Sequence, residues 1–279
     1  MASRPGAGTA LRVLQERALV LAGVHVGAAS LSLVRRGEKR IRGDGFDATI
    51  AAGEAVALPA GLSMEVTNVA DPDGVYEALS LVADPALIGA VDGRRAVTSP
   101  VHLGRLEAGF ADAVIRAADA IFDPPRTPKP VAAARVGEAL AWLAAAGLHF
   151  ERLRPASAAE RVRELIGEAP GRAWTAPYVS RSLGMSEATL RRRLAGEGTT
   201  LSDLLVEVRM STALVLLQAT DRPVAEIALD VGYGSPSRFA GRFRKRFGHP
   251  PHAVRDGDPD FERYGTEIDR YRSAVPPAA

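Results

Sequence analysis

The chain has 279 residues, room for two domains of ordinary size, and no cysteine. That excludes disulfides and cysteine-ligated metal and fits a cytoplasmic protein. Net charge is only +2 but unevenly placed: residues 1–157 balance to zero, 158–255 carry +5 and 256–279 carry −3. A basic block between a neutral part and an acidic tail predicts a polyanion partner for that block.

Met1 to Thr9 lacks a basic segment followed by a long apolar core, so no signal peptide is expected. Ala18–Val26 is too short to span a bilayer, and no other stretch approaches about 20 apolar residues, so no membrane partner is expected.

Residues 1–100 read as β. Short apolar runs (Ala18–Val26, Ala29–Val34, Ala48–Ala51, Val56–Leu58, Met64–Val69, Tyr76–Val82) alternate with Gly, Asp, Asn and Pro turns. Gly43-Asp44-Gly45 is one such turn, not a nucleotide motif. This spacing predicts a sandwich or barrel. The segment Ile50 to Gly61 resembles a segment of cupin-like jelly rolls. A metal site needs three or more converging ligands, and only His25 lies among the strands, with no His-x-His cluster. No catalytic residues, metal or cofactor are therefore expected. The interior is left to side chains or to a small-molecule ligand.

Residues 101–156 switch to helical spacing, with Leu103, Leu106, Phe110 and Val114 at steps of three and four. Four prolines between Asp123 and Pro130 break the pattern. A second helix runs from Val131 to Gly147, with Val136, Leu140 and Leu143 on one face. The two helices would pack within the chain or form a homodimer seam. Arg152–Ala156 reads as a linker.

Residues 157–255 read as all helix. Ser157-Ala158-Ala159-Glu160 is a capping-box start. A first helix-turn-helix follows at about 176–197, turning at Gly184-Met185-Ser186; Leu190 and Leu194 face inward and Arg191 and Arg192 elsewhere. Thr200 caps a long helix to about Gln218, read as a rod between two lobes. A second helix-turn-helix lies at about 223–247. Gly232 suits a left-handed turn, Ser235-Pro236 starts a helix, and Phe239, Phe243 and Phe247 recur every four residues against Arg238, Arg242, Arg244, Lys245 and Arg246. A basic second helix at a sharp angle to the first is the arrangement that enters the DNA major groove. The tail from residue 256 is acidic and expected to be disordered.

The chain resembles the AraC/XylS family of transcriptional regulators. The matching residues are Leu183-Gly184-Met185-Ser186, Leu190-x-Arg192-x-Leu194, Arg209-Met210-x-x-Ala213, Ala225-Glu226-Ile227-Ala228, Val231-Gly232-Tyr233 and Phe243-Arg244-Lys245-Arg246-Phe247-Gly248. The resemblance implies an α+β chain: a cupin-like β-barrel of the jelly-roll type, a helical linker pair, then an all-α domain with two helix-turn-helix units. It implies a sequence-specific regulator of double-stranded promoter DNA, more often an activator. Such a regulator has a small-molecule effector, a homodimeric state and RNA polymerase as partners. By family position, Ser186, Ala188, Arg191 and Arg192 on the first recognition helix, and Ser237, Arg238, Gly241, Arg242 and Lys245 on the second, face DNA. Gly241 supplies no side chain to a base, so the second helix would anchor and the first would read. Ser180 replaces a small apolar residue and needs a local partner if buried. The competing readings are a cupin-like enzyme fused to a DNA module and a regulator whose barrel only dimerises.

Overall fold

A computed structural model describes residues 1–16, 18–43, 45–89, 94–151 and 157–256. The expected linker at Arg152–Ala156, Asp44 of the expected turn and the tail beyond Asp256 lie outside the described residues. The strands are β1 (Ala2–Arg4), β2 (Gly8–Gln15), β3 (Leu19–His25), β4 (Ser30–Arg36), β5 (Glu38–Gly43), β6 (Phe46–Ala51), β7 (Glu54–Leu58), β8 (Ser63–Val69), β9 (Tyr76–Ala83), β10 (Arg95–Ala96), β11 (Val101–Arg105) and β12 (Leu148–His149). The helices are α1 (Ala108–Phe122), α2 (Lys129–Ala145), α3 (Ala158–Glu168), α4 (Ala176–Ser182), α5 (Glu187–Gly196), α6 (Leu201–Ala219), α7 (Val224–Asp230), α8 (Pro236–Phe247) and α9 (Ala253–Asp256).

The N-terminal strands form two antiparallel sheets, β1-β2-β9-β4-β7-β11 and β3-β8-β5-β6, while β10 and β12 pair parallel as a separate ribbon. Side chains alternate across each strand, so one set meets between the sheets. Val13, Val34, Val56 and Tyr76 from the larger sheet meet Ile41, Ile50, Met64 and Val66 from the smaller. The opposite face of the larger sheet, with Leu31, Leu33, Leu79 and Leu81, packs on Phe110, Val114 and Ala117 of α1 and on Val136 and Leu143 of α2. Each such aliphatic side chain taken from water stabilises the fold by about 1.5–3 kcal/mol.

The expected barrel is therefore a two-sheet sandwich and is not closed. The larger sheet is held against α1 and α2 on its outer face, which buries both faces without curling it round to meet the smaller one. The helical spacing at Leu103 and Leu106 also misleads. Val101–Arg105 extends as edge strand β11 along β7, and the helix starts at Ala108. The unpaired edge of β7 offers this segment backbone hydrogen bonds, and that outweighs an apolar spacing that suits either state. The apolar face of α2 is spent inside the chain; Trp142 stacks on Phe110 at 6.1 Å between ring centres.

The C-terminal helices build around α6. Its first half, with Leu204, joins Val162, Ile166, Val179, Leu190 and Leu194 in one core. Its second half, with Met210, Ala213, Leu214 and Leu217, joins Ile227, Ala228, Phe239, Phe243 and Phe247 in another. The rod between two lobes is thus present as expected. This second core has a further wall: Leu19 and Leu21 of β3 are buried in it. Among the described residues no helix is long and apolar enough to cross a membrane.

Candidate nucleic-acid interface

Local signals place α5 and α8. Ser186 Oγ accepts from Thr189 N–H at 3.2 Å and starts α5; Ser235 Oγ accepts from Arg238 N–H at 3.4 Å and starts α8. Gly184 and Gly232, at φ +68° and +86°, make the two turns in the left-handed region. Leu190 and Leu194 hold the inner face of α5, and Phe239, Phe243 and Phe247, each 0% exposed, hold that of α8.

With those faces fixed, helical geometry sends the next residues outward. Ser186, Ala188, Arg191 and Arg192 are exposed on α5. Ser237, Arg238, Gly241, Arg242 and Lys245 are exposed on α8. Within each helix the structure brings the residues singled out from sequence onto one open face. Among the described residues, none of these arginines nor Lys245 makes an ion pair with a carboxylate. A Cβ at Gly241 would meet nothing within 4 Å, so the surface is open there. Arg246 departs from this group. It is half-buried against the backbone of Gly23 in β3, and its Nε has no hydrogen-bond partner.

Arg209 of α6 fixes the second unit relative to the first. Its guanidinium donates to the carbonyls of Pro170 (2.9 Å), Arg172 (2.9 Å) and Gly232 (3.4 Å), so it ties the loop before α4 to the α7–α8 turn. A Cβ on Gly171 would stand 2.3 Å from the Asp230 carbonyl, so the two segments touch backbone to backbone. In the first unit, Glu197 accepts from the N–H groups of Ala158 and Ala159, both at 2.8 Å. Burial opposes its charge, yet those two hydrogen bonds hold its carboxyl below the usual range. Ser180 is 4% exposed and its hydroxyl donates to the Pro177 carbonyl at 3.2 Å, the local partner it needs. Arg209 stood within the motif that carried the resemblance; Glu197 had no sequence signal.

His25, the last residue of β3, reaches across to α6. Its Nε2 is 3.4 Å from Glu207, whose carboxylate also accepts from Arg163 at 2.7 Å.

Residues 179–257 match the family described as "Helix-turn-helix domain". Over 92 residues the chain is 34% identical to the DNA-binding dual transcriptional regulator Rns of Escherichia coli, covering 33% of this chain and 35% of that one. Over 96 residues it is 38% identical to the ornithine utilization regulator of Pseudomonas aeruginosa, covering 34% and 28%. The chain thus spans about a third of the length of the curated relatives it matches. Its fold is similar to that of ToxT from Vibrio cholerae. The apo form of a ToxT point variant gives a TM-score of 0.62 at 12% identity, over 90% of this chain and 97% of that one. The unsaturated fatty acid-bound wild type gives 0.61 at 13%, over 90% and 95%. The chain carries a C-terminal helix-turn-helix domain of the AraC type.

Proposed function

We propose that the chain is a sequence-specific transcriptional regulator, an activator, that grips promoter DNA with α5 and α8 and answers to a small molecule held in its N-terminal sandwich. One observation carries the DNA reading. Two capped helices present Arg191, Arg192, Arg238, Arg242 and Lys245 on open faces without carboxylate partners, braced by one helix. Free guanidinium groups at a helix face suit phosphate oxygens and the O6/N7 edge of guanine. Arg191 and Arg192 act as readers; Arg238, Arg242 and Lys245, beside the bare Gly241, act as anchors on phosphate.

The effector reading is supported by the shared wall between sandwich and second unit, through which a change in β3 reaches α8. The ToxT fold, bound to an unsaturated fatty acid in one structure, agrees with it. Several relatives, such as CfaD of Escherichia coli, are named activators. The same proposal has the chain act in the cytoplasm, with RNA polymerase and a second copy as partners. Val136 and Leu143 are buried within the chain, which favours a seam elsewhere for that dimer.

The test is footprinting on genomic DNA followed by Arg192→Ala. Protected promoter sites are expected. The substitution should weaken binding to them by about 1–3 kcal/mol while hardly changing binding to random DNA. Equal losses on both would make Arg192 a phosphate contact.

A further inference from the structure

The open face of α8 holds positive charge that the described residues around it do not neutralise. Arg238, Arg242 and Lys245 stand exposed on it at steps of four and three. Among the described residues none of the three is in an ion pair with a carboxylate. The carboxylates of α7, Glu226 and Asp230, are engaged with Arg222 at 3.8 and 2.6 Å. Cations gathered on one face attract any polyanion within reach.

The chain carries such a polyanion next to this face. Ala253 and Val254 of α9 are buried in the core that holds Phe243 and Phe247, so the segment from Asp256 onward sets out beside α8. It begins Asp256-Gly257-Asp258-Pro259-Asp260-Phe261-Glu262, with a carboxylate at every second residue and no cation. Six extended residues reach about 20 Å. The face from Arg238 to Lys245 takes seven helical steps, about 10 Å. Alternate residues of an extended segment lie about 6.7 Å apart on one side, close to the rise of about 6 Å between Arg238 and Arg242. Gly241 stands beside them without a side chain, and a Cβ there would meet nothing within 4 Å, so another backbone can lie close to the helix.

We propose that Asp258, Asp260 and Glu262 dock on Lys245, Arg242 and Arg238 of the same chain and compete there with DNA phosphate. The segment runs back along α8, from Lys245 near its end to Arg238 near its start. Each pair is exposed, so one contact alone is weak and screened by salt. Three together on a short tether act at a local concentration of roughly millimolar order. Docking lowers affinity for every DNA sequence by the same factor, because it masks phosphate contacts and leaves base reading by α5 untouched. The inference rests on reading α8 as the phosphate anchor.

The test compares the full chain with Asp258→Asn/Asp260→Asn/Glu262→Gln on a footprinted promoter fragment and on random DNA, from about 50 to 200 mM salt. At low salt the variant should bind both DNAs severalfold more tightly, and the gain should fade as salt rises. Asp112→Asn/Asp119→Asn, which removes exposed carboxylates of α1, should give no such gain. Carbodiimide joins an amine to a carboxylate in contact with it, and without DNA it should link Lys245 to the acidic segment. In a mixture of 15N-labelled and unlabelled protein the linked peptides should share one isotope. Equal affinities of wild type and variant, a gain that does not fall with salt, or an equal gain per charge removed from α1 would each overturn the docking. So would a Lys245 link that persists under saturating DNA, or one between isotopes, which would put a second copy's segment on the face. DNA binding without the link overturns this inference alone; the link in a protein that binds no DNA overturns the reading of α8 beneath it.

Discussion

Arg209 and Lys39 are two half-buried cations with opposite surroundings. Arg209 has three carbonyl acceptors for its guanidinium, so its charge is solvated by the protein itself. Arg209→Ala would leave the Pro170, Arg172 and Gly232 carbonyls without their donor and free the α7–α8 turn. A loss of about 1–3 kcal/mol in chemical unfolding is expected, with a larger loss on full promoter sites than on half-sites. Equal losses on both would mean that Arg209 supports the fold without setting the spacing of the helices. Lys39 has a single amide oxygen, that of Asn68 at 2.9 Å, and its lowered proton affinity gives a sign. The unfolded chain holds this proton up to about 10.4, whereas burial in the fold pushes the ammonium down to about 8. Between those values the unfolded state binds more protons, so stability rises with pH. Tm of the chain should therefore climb from pH 8 to 10 relative to Lys39→Met; parallel curves would show that Lys39 is solvated as in water.

The elements divide by where their information lies. Helices α3, α5, α6 and α8 were legible because each carries its own start: Ser157, Ser186, Thr200 and Ser235 all accept from the N–H three residues on. The open faces of α5 and α8 followed from the leucine and phenylalanine spacing. Strand β5 was not legible. Its sequence Glu38-Lys39-Arg40-Ile41-Arg42-Gly43 has one aliphatic residue, since its other inward place is taken by Lys39. A strand with a charged residue at an inward place gives up the alternation by which strands are found. β11 was misread because Leu103, Leu106 and Phe110 match helical steps while the deciding partner, the edge of β7, is remote in sequence. The α7–α8 turn joins both kinds of information. Gly232 is required locally by its φ of +86° and remotely by Arg209, whose Nη2 would stand 2.7 Å from a Cβ there. Gly232→Ala should cost about 1–3 kcal/mol in chemical unfolding, and adding Arg209→Ala should recover only the part owed to crowding. Full recovery in the double variant would assign the whole cost to the arginine and none to the turn.

At the scale of the whole molecule, the sandwich and the second helix-turn-helix unit share one core, and nothing in the spacing of either announced it. Leu19 and Leu21 look like any strand residues, yet they close the pocket around Phe239, Phe243 and Phe247. Arg246 turns to Gly23 instead of joining the basic face of α8. At the rim of this seam sits His25, with Nδ1 3.3 Å from Ser63 Oγ and Nε2 3.4 Å from Glu207. Burial lowers its proton affinity; Glu207 opposes that, while Arg163 and Arg246 reinforce it, and the balance stays below the ordinary value. The unfolded chain takes up this proton near pH 6.5, before the folded one does. Stability is therefore complete above about 6.5 and is lost as pH falls toward the lowered folded value. Because the imidazole of β3 reaches Glu207 of α6, the loss falls on the contact that joins the sandwich to the C-terminal helices. On acidification from pH 7 to 5 the wild type should lose more Tm than His25→Gln, which keeps a polar side chain there without a charge to gain. Hydrogen exchange should show the loosening first in Leu19–His25 and the second half of α6. Identical pH slopes for the two proteins would remove His25 from the seam's energetics, and uniform exchange across the sandwich would mean that acid opens the domain and not the joint.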